Sequence, residues 1–177
     1  MKDRIIRLLE STGRENIGRV ISWMEANGFF DAPASVVHHN NFRGGLAKHS
    51  LEVYEQAAGL NAKRQQAGLV PFPESSVIIC SLLHDICKCG QYYIDRNGRP
   101  ECDRSMKDRG HGIRSMYILK RTCALPLNYE EEMAIWWHMG QYEKARGYER
   151  EFAESMRNEF CELIRQADGI AATSLGL

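Results

Sequence analysis

Apolar residues recur at helical spacing along nearly the whole chain. Ile5, Ile6, Leu8 and Leu9 mark a short first helix. Ile17, Val20, Ile21 and Met24 mark a second, closed at "ANG", where Gly28 suits a left-handed C-terminal cap. The stretch "FFDAPASVVHHNNFRGG" loses the period and reads as loop. From about Leu46 a long helix runs through Leu51, Val53, Tyr54 and Ala58 until "QAGLVPFP" ends it. The next begins at Glu74. Val77, Ile78, Ile79, Leu82 and Leu83 make it apolar nearly all round, the pattern of a central, buried helix, and it carries His84 and Asp85. In "QYYIDRNGRPEC" the period breaks: Tyr92 to Ile94 favour extended chain, and Asn97-Gly98 is a hairpin turn signal. Helical spacing resumes from about His111 to Leu125, stops before Pro126, and restarts at "NYEEEMAIWWHMG", where Glu130 to Glu132 suit the helix dipole. A final helix covers "EFAESMRNEFCELIRQADGIAATS". The expectation is all-α: a single helical domain over 1–177, with helices in 1–30 packing on a core from 38 to 175, and at most one small β-hairpin around 91–102.

Composition narrows the class of partner. A chain of 177 residues suffices for one domain with a real core. Lys+Arg 23 cancels Asp+Glu 23, so no bulk charge draws the protein to long nucleic acid or to a membrane. The start "MKDRIIRLLE" is charged and amphipathic rather than signal-like, and no apolar run approaches the ~20 residues that span a bilayer. A cytoplasmic protein is expected. Its six cysteines are then expected as reduced, buried thiols. Cys87, Cys89 and Cys102 lack C-x-x-C spacing and a clear fourth ligand for structural zinc.

The adjacent His84 and Asp85 change the picture most, because burying an imidazole beside a carboxylate is costly unless something pairs with them. His49 follows "GGLAK", His111 follows "KDRG", His138 ends "AIWWHMG", and Asp168 sits in "RQADGIAA". The six residues fall on five helices, each at an apolar-to-loop boundary or beside a glycine. Neutral imidazoles and carboxylates suit Mn, Fe, Ni or Zn. Singly, each has a plainer reading: packing histidines, a helix-start His111, an intrahelical pair between Asp168 and Arg165. The joint pattern is what points to metal.

The order His49, the pair His84-Asp85, then Asp168 resembles the HD superfamily of metal-dependent phosphohydrolases, whose eponymous pair stands here in "LLHDICK". With His111 and His138 between, the pattern H…HD…H…H…D is similar to the subset that holds two metals. "HNNFRGGLAKHSLEVY" further resembles the GGL-x-x-H opening of HD domains in bacterial 3′–5′ exoribonucleases and their single-domain relatives. The resemblance runs from about His38 to Asp168. It implies an HD-type helical bundle in which His49, His84, Asp85 and Asp168 hold a first ion, and Asp85, His111 and His138 a second. Asp85 bridges, and an activated water attacks phosphorus without any side-chain nucleophile. Ligation by His and carboxylate without thiolate favours Fe or Mn, with Ni, Zn or Mg also compatible.

Lys88 matches a lysine that often follows the HD pair. On the same helical face as His84 and Asp85 it would act as a point charge on a phosphate oxygen; the plainer reading is a solvated helix-end cation. Arg43, Lys107 and Arg109 lie in loops just before proposed ligands and are further phosphate contacts, or simply solvated surface. His38 and His39 suit a loop role or a hydrogen bond to a ligand. Trp136 and Trp137 could stack on a base, with at least one of them core.

The function expected is hydrolysis of a phosphate mono- or diester of a nucleotide or short oligonucleotide. The exoribonucleases carry an additional nucleic-acid-binding module for which this chain has no room, so a small phosphorylated substrate is expected and long nucleic acid is not. Two other classes stay open: an HD-fold module that senses a nucleotide or metal without turnover, and an all-α structural domain whose histidines merely pack.

Overall fold

The computed structural model of the chain describes residues 1–105, 110–143 and 147–173. In chain order its helices are α1 (Lys2–Ser11), α2 (Ile17–Ala26), α3 (Gly45–Gln66), α4 (Glu74–Leu83), α5 (His111–Tyr117), α6 (Tyr129–Trp136), α7 (Glu149–Ser155) and α8 (Glu159–Thr173). The apolar α4 is the axis of the packing. Every residue from Ser76 to Leu83 is buried. With no polar face to offer water, such a helix must be covered on all sides, and α1, α3, α6 and α8 surround it. α3 also lies along α8, while α5 and α7 flank α6. Leu46, Ile79, Leu82, Ile135 and Ile164 from these elements form one continuous core.

The expected hairpin is present. β1 (Tyr92–Ile94) pairs antiparallel with β2 (Pro100–Cys102), Tyr93 opposite Glu101. Its turn is held by Asp95, whose Oδ1 accepts from the N–H groups of Asn97 and Arg99, both at 2.8 Å. The fold class is therefore all-α with this one small sheet among the described residues.

Four boundaries differ from the periodicity, the first being α6, which ends at Trp136 short of His138. α4 ends at Leu83, and His84 and Asp85 lie just beyond it, followed by a 3₁₀ turn over Ile86–Lys88. After α5 the chain continues as a π-helical turn over Ile118–Thr122. The single last helix expected from Glu151 onward is two: α7 ends at Ser155, and Asn158 caps the start of α8. Its Oδ1 accepts from Phe160 N (2.9 Å) and Cys161 N (3.0 Å), an alternative to continuing the ladder.

Glu131 is more than a charge favouring the helix dipole. Its side chain is fully buried. Oε2 accepts from Asn128 N and Arg14 Nη1, and Oε1 from Arg14 Nη2 (2.7 Å) and Ser76 Oγ (2.7 Å). Asn128 Oδ1 in turn accepts from Glu131 N, completing a capping box. Burial pushes this carboxyl up, but Arg14, Ser76 and the Asn128 N–H outweigh it and hold it below its usual value.

Removing a partner from a buried, satisfied ion pair is expensive. Glu131→Ala is expected to cost about 3 kcal/mol, a fall in Tm of roughly 6–12 °C for a domain of this size, read by thermal denaturation. Because the folded pKa is depressed, Glu131's contribution is fully present above its free value of 4.5 and is lost as pH falls through the lower folded value. Loss of the difference between wild type and variant in acid checks the sign.

Candidate metal centre

A shared backbone device aims two of the histidines. His84 follows the last residue of α4, and His138 lies two residues beyond the end of α6. The final carbonyls of a helix have no partner within it. His84 Nδ1 takes Ser81 O at 2.9 Å, and His138 Nδ1 takes Ile135 O at 2.8 Å. A carbonyl only accepts, so each Nδ1 carries a proton and each Nε2 is turned toward the cluster, where it can bind a cation once it is unprotonated. Both helices also turn their negative ends toward this region, a favourable setting for a cation.

The break after Leu83 resolves how adjacent residues serve one site. On a continuing helix their side chains would diverge by about 100°. Instead Asp85 takes φ −107°, ψ 16°, and its Oδ2 lies 3.3 Å from His84 Nε2. α3 brings His49, and α8 alongside it brings Asp168, with Nε2 and Oδ1 3.0 Å apart. His49 Nε2 stands 3.8 Å from Asp85 Oδ2, His84 Nε2 3.7 Å from Asp168 Oδ1, and His138 Nε2 3.5 Å from Asp85 Oδ1. Two trios result, His49–His84–Asp168 and His84–Asp85–His138, sharing His84.

These groups fit a metal better than they fit one another. His84 Nε2, His138 Nε2 and Asp85 Oδ1 are buried without a hydrogen-bond partner, a cost that proteins rarely leave unmet. Two ligands each ~2.1 Å from a common ion, at tetrahedral or octahedral angles, stand about 3.0–3.4 Å apart, close to the spacings found here. Asp85 divides its oxygens: Oδ2 faces His49, His84 and Lys88, and Oδ1 faces His138.

Lys88 is not the solvated helix-end cation. The 3₁₀ turn folds it inward, buried, with Nζ 2.6 Å from Asp85 Oδ2. Arg165 pairs with Glu162 rather than with Asp168, which leaves that carboxylate to the cluster.

Glycines set two further histidines. A Cβ on Gly45 would lie 1.9 Å from Asn40 O, so only glycine lets the preceding loop press onto the first turn of α3. That loop carries His39, whose ring centroid is 4.7 Å from His49 and whose Nε2 is buried without a partner. Sequence reasoning gave His39 only a loop role or a hydrogen bond. The Gly-Gly pair was the available signal, since it marks a close backbone approach. Gly110 and Gly112 do the same for His111: Cβ atoms there would meet Glu143 Oε1 at 2.0 Å and Trp136 O at 1.9 Å. Glu143 Oε2 accepts from Gly112 N at 3.3 Å. The start of α5 is thus wedged between Glu143 and the end of α6. His111 belongs to neither trio; its Nδ1 faces Cys87 Sγ at 3.7 Å.

Other expected contacts lie elsewhere. Arg43 is exposed and pairs with Asp31 at 3.1 Å. Lys107 and Arg109 lie outside the described residues. Trp137 is core, and Trp136 is stacked on it while meeting Tyr148 edge-on, so the pair forms packing rather than an open platform. All six cysteines are free thiols, and none joins a metal-capable group among the described residues.

The cluster carries its own counter-charges. Burial pushes Asp85 up, yet Lys88, His84 and His138 together hold it well below the carboxylate range. Asp168 is likewise lowered against burial, chiefly by His49. Burial opposes charge on His138, but Asp85 prevails and raises it to about 9; burial alone dominates at His39 and His111 and lowers each to about 4. Lys88 stays charged against its burial because of Asp85.

Metal-free protein is expected to show this split by NMR titration of the imidazoles, with His138 near pH 9 and His39 and His111 near 4. The raised His138 value stabilises the metal-free fold fully below its free value of 6.5, and that contribution fades as pH rises through about 9. Titration of His138 at or below 6.5 would show that Asp85 does not hold it.

Neither a curated protein nor a solved structure matches the chain. No helix among the described residues is long and apolar enough to cross a membrane. Residues 46–173, which include His49, His84, Asp85, His111, His138 and Asp168, match the model of the HD domain. That span covers well over half of the chain and contains both trios, and the chain therefore belongs to the HD domain family, which points to metal-dependent phosphohydrolases as its class.

Proposed function

We propose that the protein is a metal-dependent phosphohydrolase acting on a phosphate mono- or diester, of a nucleotide or short oligonucleotide, by a metal-activated water. The observation that carries this reading is the pair of trios, buried but for the half-buried Asp168, with three orphaned ligand atoms beside a buried lysine. A divalent ion held there supplies Lewis acidity toward a phosphoryl oxygen and an acidified water as nucleophile. His49, His84, Asp168 and Asp85 Oδ2 are assigned to one ion. Asp85 Oδ1, His138 and His111 are assigned to a second, which the division of Asp85's two oxygens supports. Iron or manganese suits this oxygen and imidazole set.

The chain's own residues divide the remaining work. Ser81 O and Ile135 O keep the Nε2 atoms of His84 and His138 aimed inward. Lys88, anchored by Asp85, holds positive charge where the phosphoryl oxygens gain negative charge. The zero net charge of the whole chain favours a small substrate that meets the cluster directly over a long polymer.

Elemental analysis with a phosphatase and phosphodiesterase screen in Mn²⁺ tests the reading. Asp85→Ala is expected to lose both ions and all activity, because it removes the shared ligand. Lys88→Ala is expected to keep its metal while kcat/KM falls about 100-fold, the scale for losing one charge-stabilising contact. Full metal content with no turnover of any ester would move the protein to a sensing module. A wild type that binds no metal would leave only a packed helical domain.

Metal should also stabilise the fold. At 100 times its Kd an ion that binds only the folded chain adds about 2.7 kcal/mol. Thermal melts with and without chelator are expected to differ in wild type and to coincide in Asp85→Ala.

A further inference from the structure

We propose that Glu143 is a positioning residue for the second ion: it ties the segment of His111 to that of His138, and without it the chain keeps the first ion and loses its hold on the second. The inference rests on the two-ion reading above. The residues assigned to the second ion come from three segments: Asp85 from the turn after α4, His111 from the start of α5, and His138 from just beyond α6. His111 lies within electrostatic reach of Asp85 and His138 yet belongs to neither trio. Its place is therefore set by what holds the first turn of α5.

That turn is held from two sides, one for each of the other two residues. On the side of Asp85 the partner is Cys87, in the 3₁₀ turn over Ile86–Lys88. Cys87 N donates to Ser115 Oγ at 3.3 Å, Cys87 Sγ to His111 O at 3.2 Å, and Arg114 Nη2 to Cys87 O at 3.2 Å. On the side of His138 the partner is Glu143, which is buried and follows the 3₁₀ turn over Gly140–Tyr142. Its Oε2 accepts from Gly112 N at 3.3 Å, and the Ile113 N–H also faces the carboxylate.

Glycine makes this second tie unusually close. A Cβ on Gly112 would stand 2.7 Å from Ile135 O, the carbonyl that receives the His138 Nδ1 proton. The bond from Gly112 N to Glu143 and the carbonyl that aims His138 thus meet at one residue of α5. A shift there moves His111 relative to His138. The first ion's residues depend on other contacts: α3 packs along α8 and against α4, which places His49, Asp168 and His84. Removing the Glu143 carboxylate leaves that packing intact. Groups that orient a metal's ligands without touching the metal typically carry 10- to 100-fold in its affinity.

Equilibrium dialysis against Mn²⁺ counts the ions bound by the full chain, and the Mn²⁺ EPR spectrum shows whether they are magnetically coupled. Wild type is expected to take up a coupled pair. Glu143→Ala is expected to bind the second ion about 10- to 100-fold more weakly and to give the spectrum of an isolated ion. Glu143→Gln keeps an acceptor for Gly112 N and is expected to restore the coupled pair. A coupled pair in Glu143→Ala at wild-type affinity overturns the proposal. So does equal loss in Glu143→Gln, which would make the charge and not the placement decisive, and so does a single ion in wild type. If Glu143→Ala does not fold, Gly110→Ala takes its place. Its added Cβ, 2.0 Å from Glu143 Oε1, displaces the carboxylate from the other side. The same loss is expected there, and an undisturbed pair overturns the proposal. Phosphoester hydrolysis by wild type in Mn²⁺ is measured alongside. Turnover keeps the phosphohydrolase reading whatever becomes of Glu143, and a wild type that binds no metal ends both.

Discussion

Two backbone carbonyls, Ser81 O and Ile135 O, exert the control on which the centre depends. Each belongs to the last turn of a helix, each lacks a helical partner, and each takes the Nδ1 proton of a histidine three residues on. The tautomer and the ring direction follow from a single bond. A histidine in mid-helix would find its i−3 carbonyl already used, so the sites must lie where helices stop. The endings of α4 and α6 are therefore part of the chemistry and not merely limits of the scaffold.

Electrostatic balance comes next in importance. The buried Asp85 and the half-buried Asp168 would be costly against an apolar core without counter-charge. Lys88 and a protonated His138 offset them in the metal-free chain. A cation entering the cluster replaces that internal compensation, which is why the same groups can be tolerable before binding and strong ligands after it.

Much of this was legible in the residues. The all-round apolar pattern from Val77 to Leu83 marked α4 as central, and Asn97-Gly98 marked the hairpin. The order of His49, His84-Asp85 and Asp168 marked the cluster. What failed were boundaries governed by single side chains: the carbonyl-seeking His84 and the capping Asn158 both interrupt an unbroken apolar period. Lys88 read as either site or surface, because periodicity places it on a face but a 3₁₀ turn decides where its ammonium goes. Glu131 was invisible as a buried hub, since its partner Arg14 is 117 residues away. His39 and Glu143 were missed for a similar reason: their roles come from glycines elsewhere that permit close approach.

The bidentate contact between Arg14 and Glu131 also separates two meanings of a boundary. The match to the HD domain model begins at residue 46, yet Ile5, Leu9, Val20 and Met24 are completely buried and belong to the same core. α1 covers a flank of α4, and the loop after it supplies the counter-ion for a carboxylate at the head of α6. The segment that carries the ligands and the residues that hold the core together are thus not the same. A fragment trimmed to the shared family segment would retain every proposed ligand and lose the brace that keeps α6, and with it His138, in register.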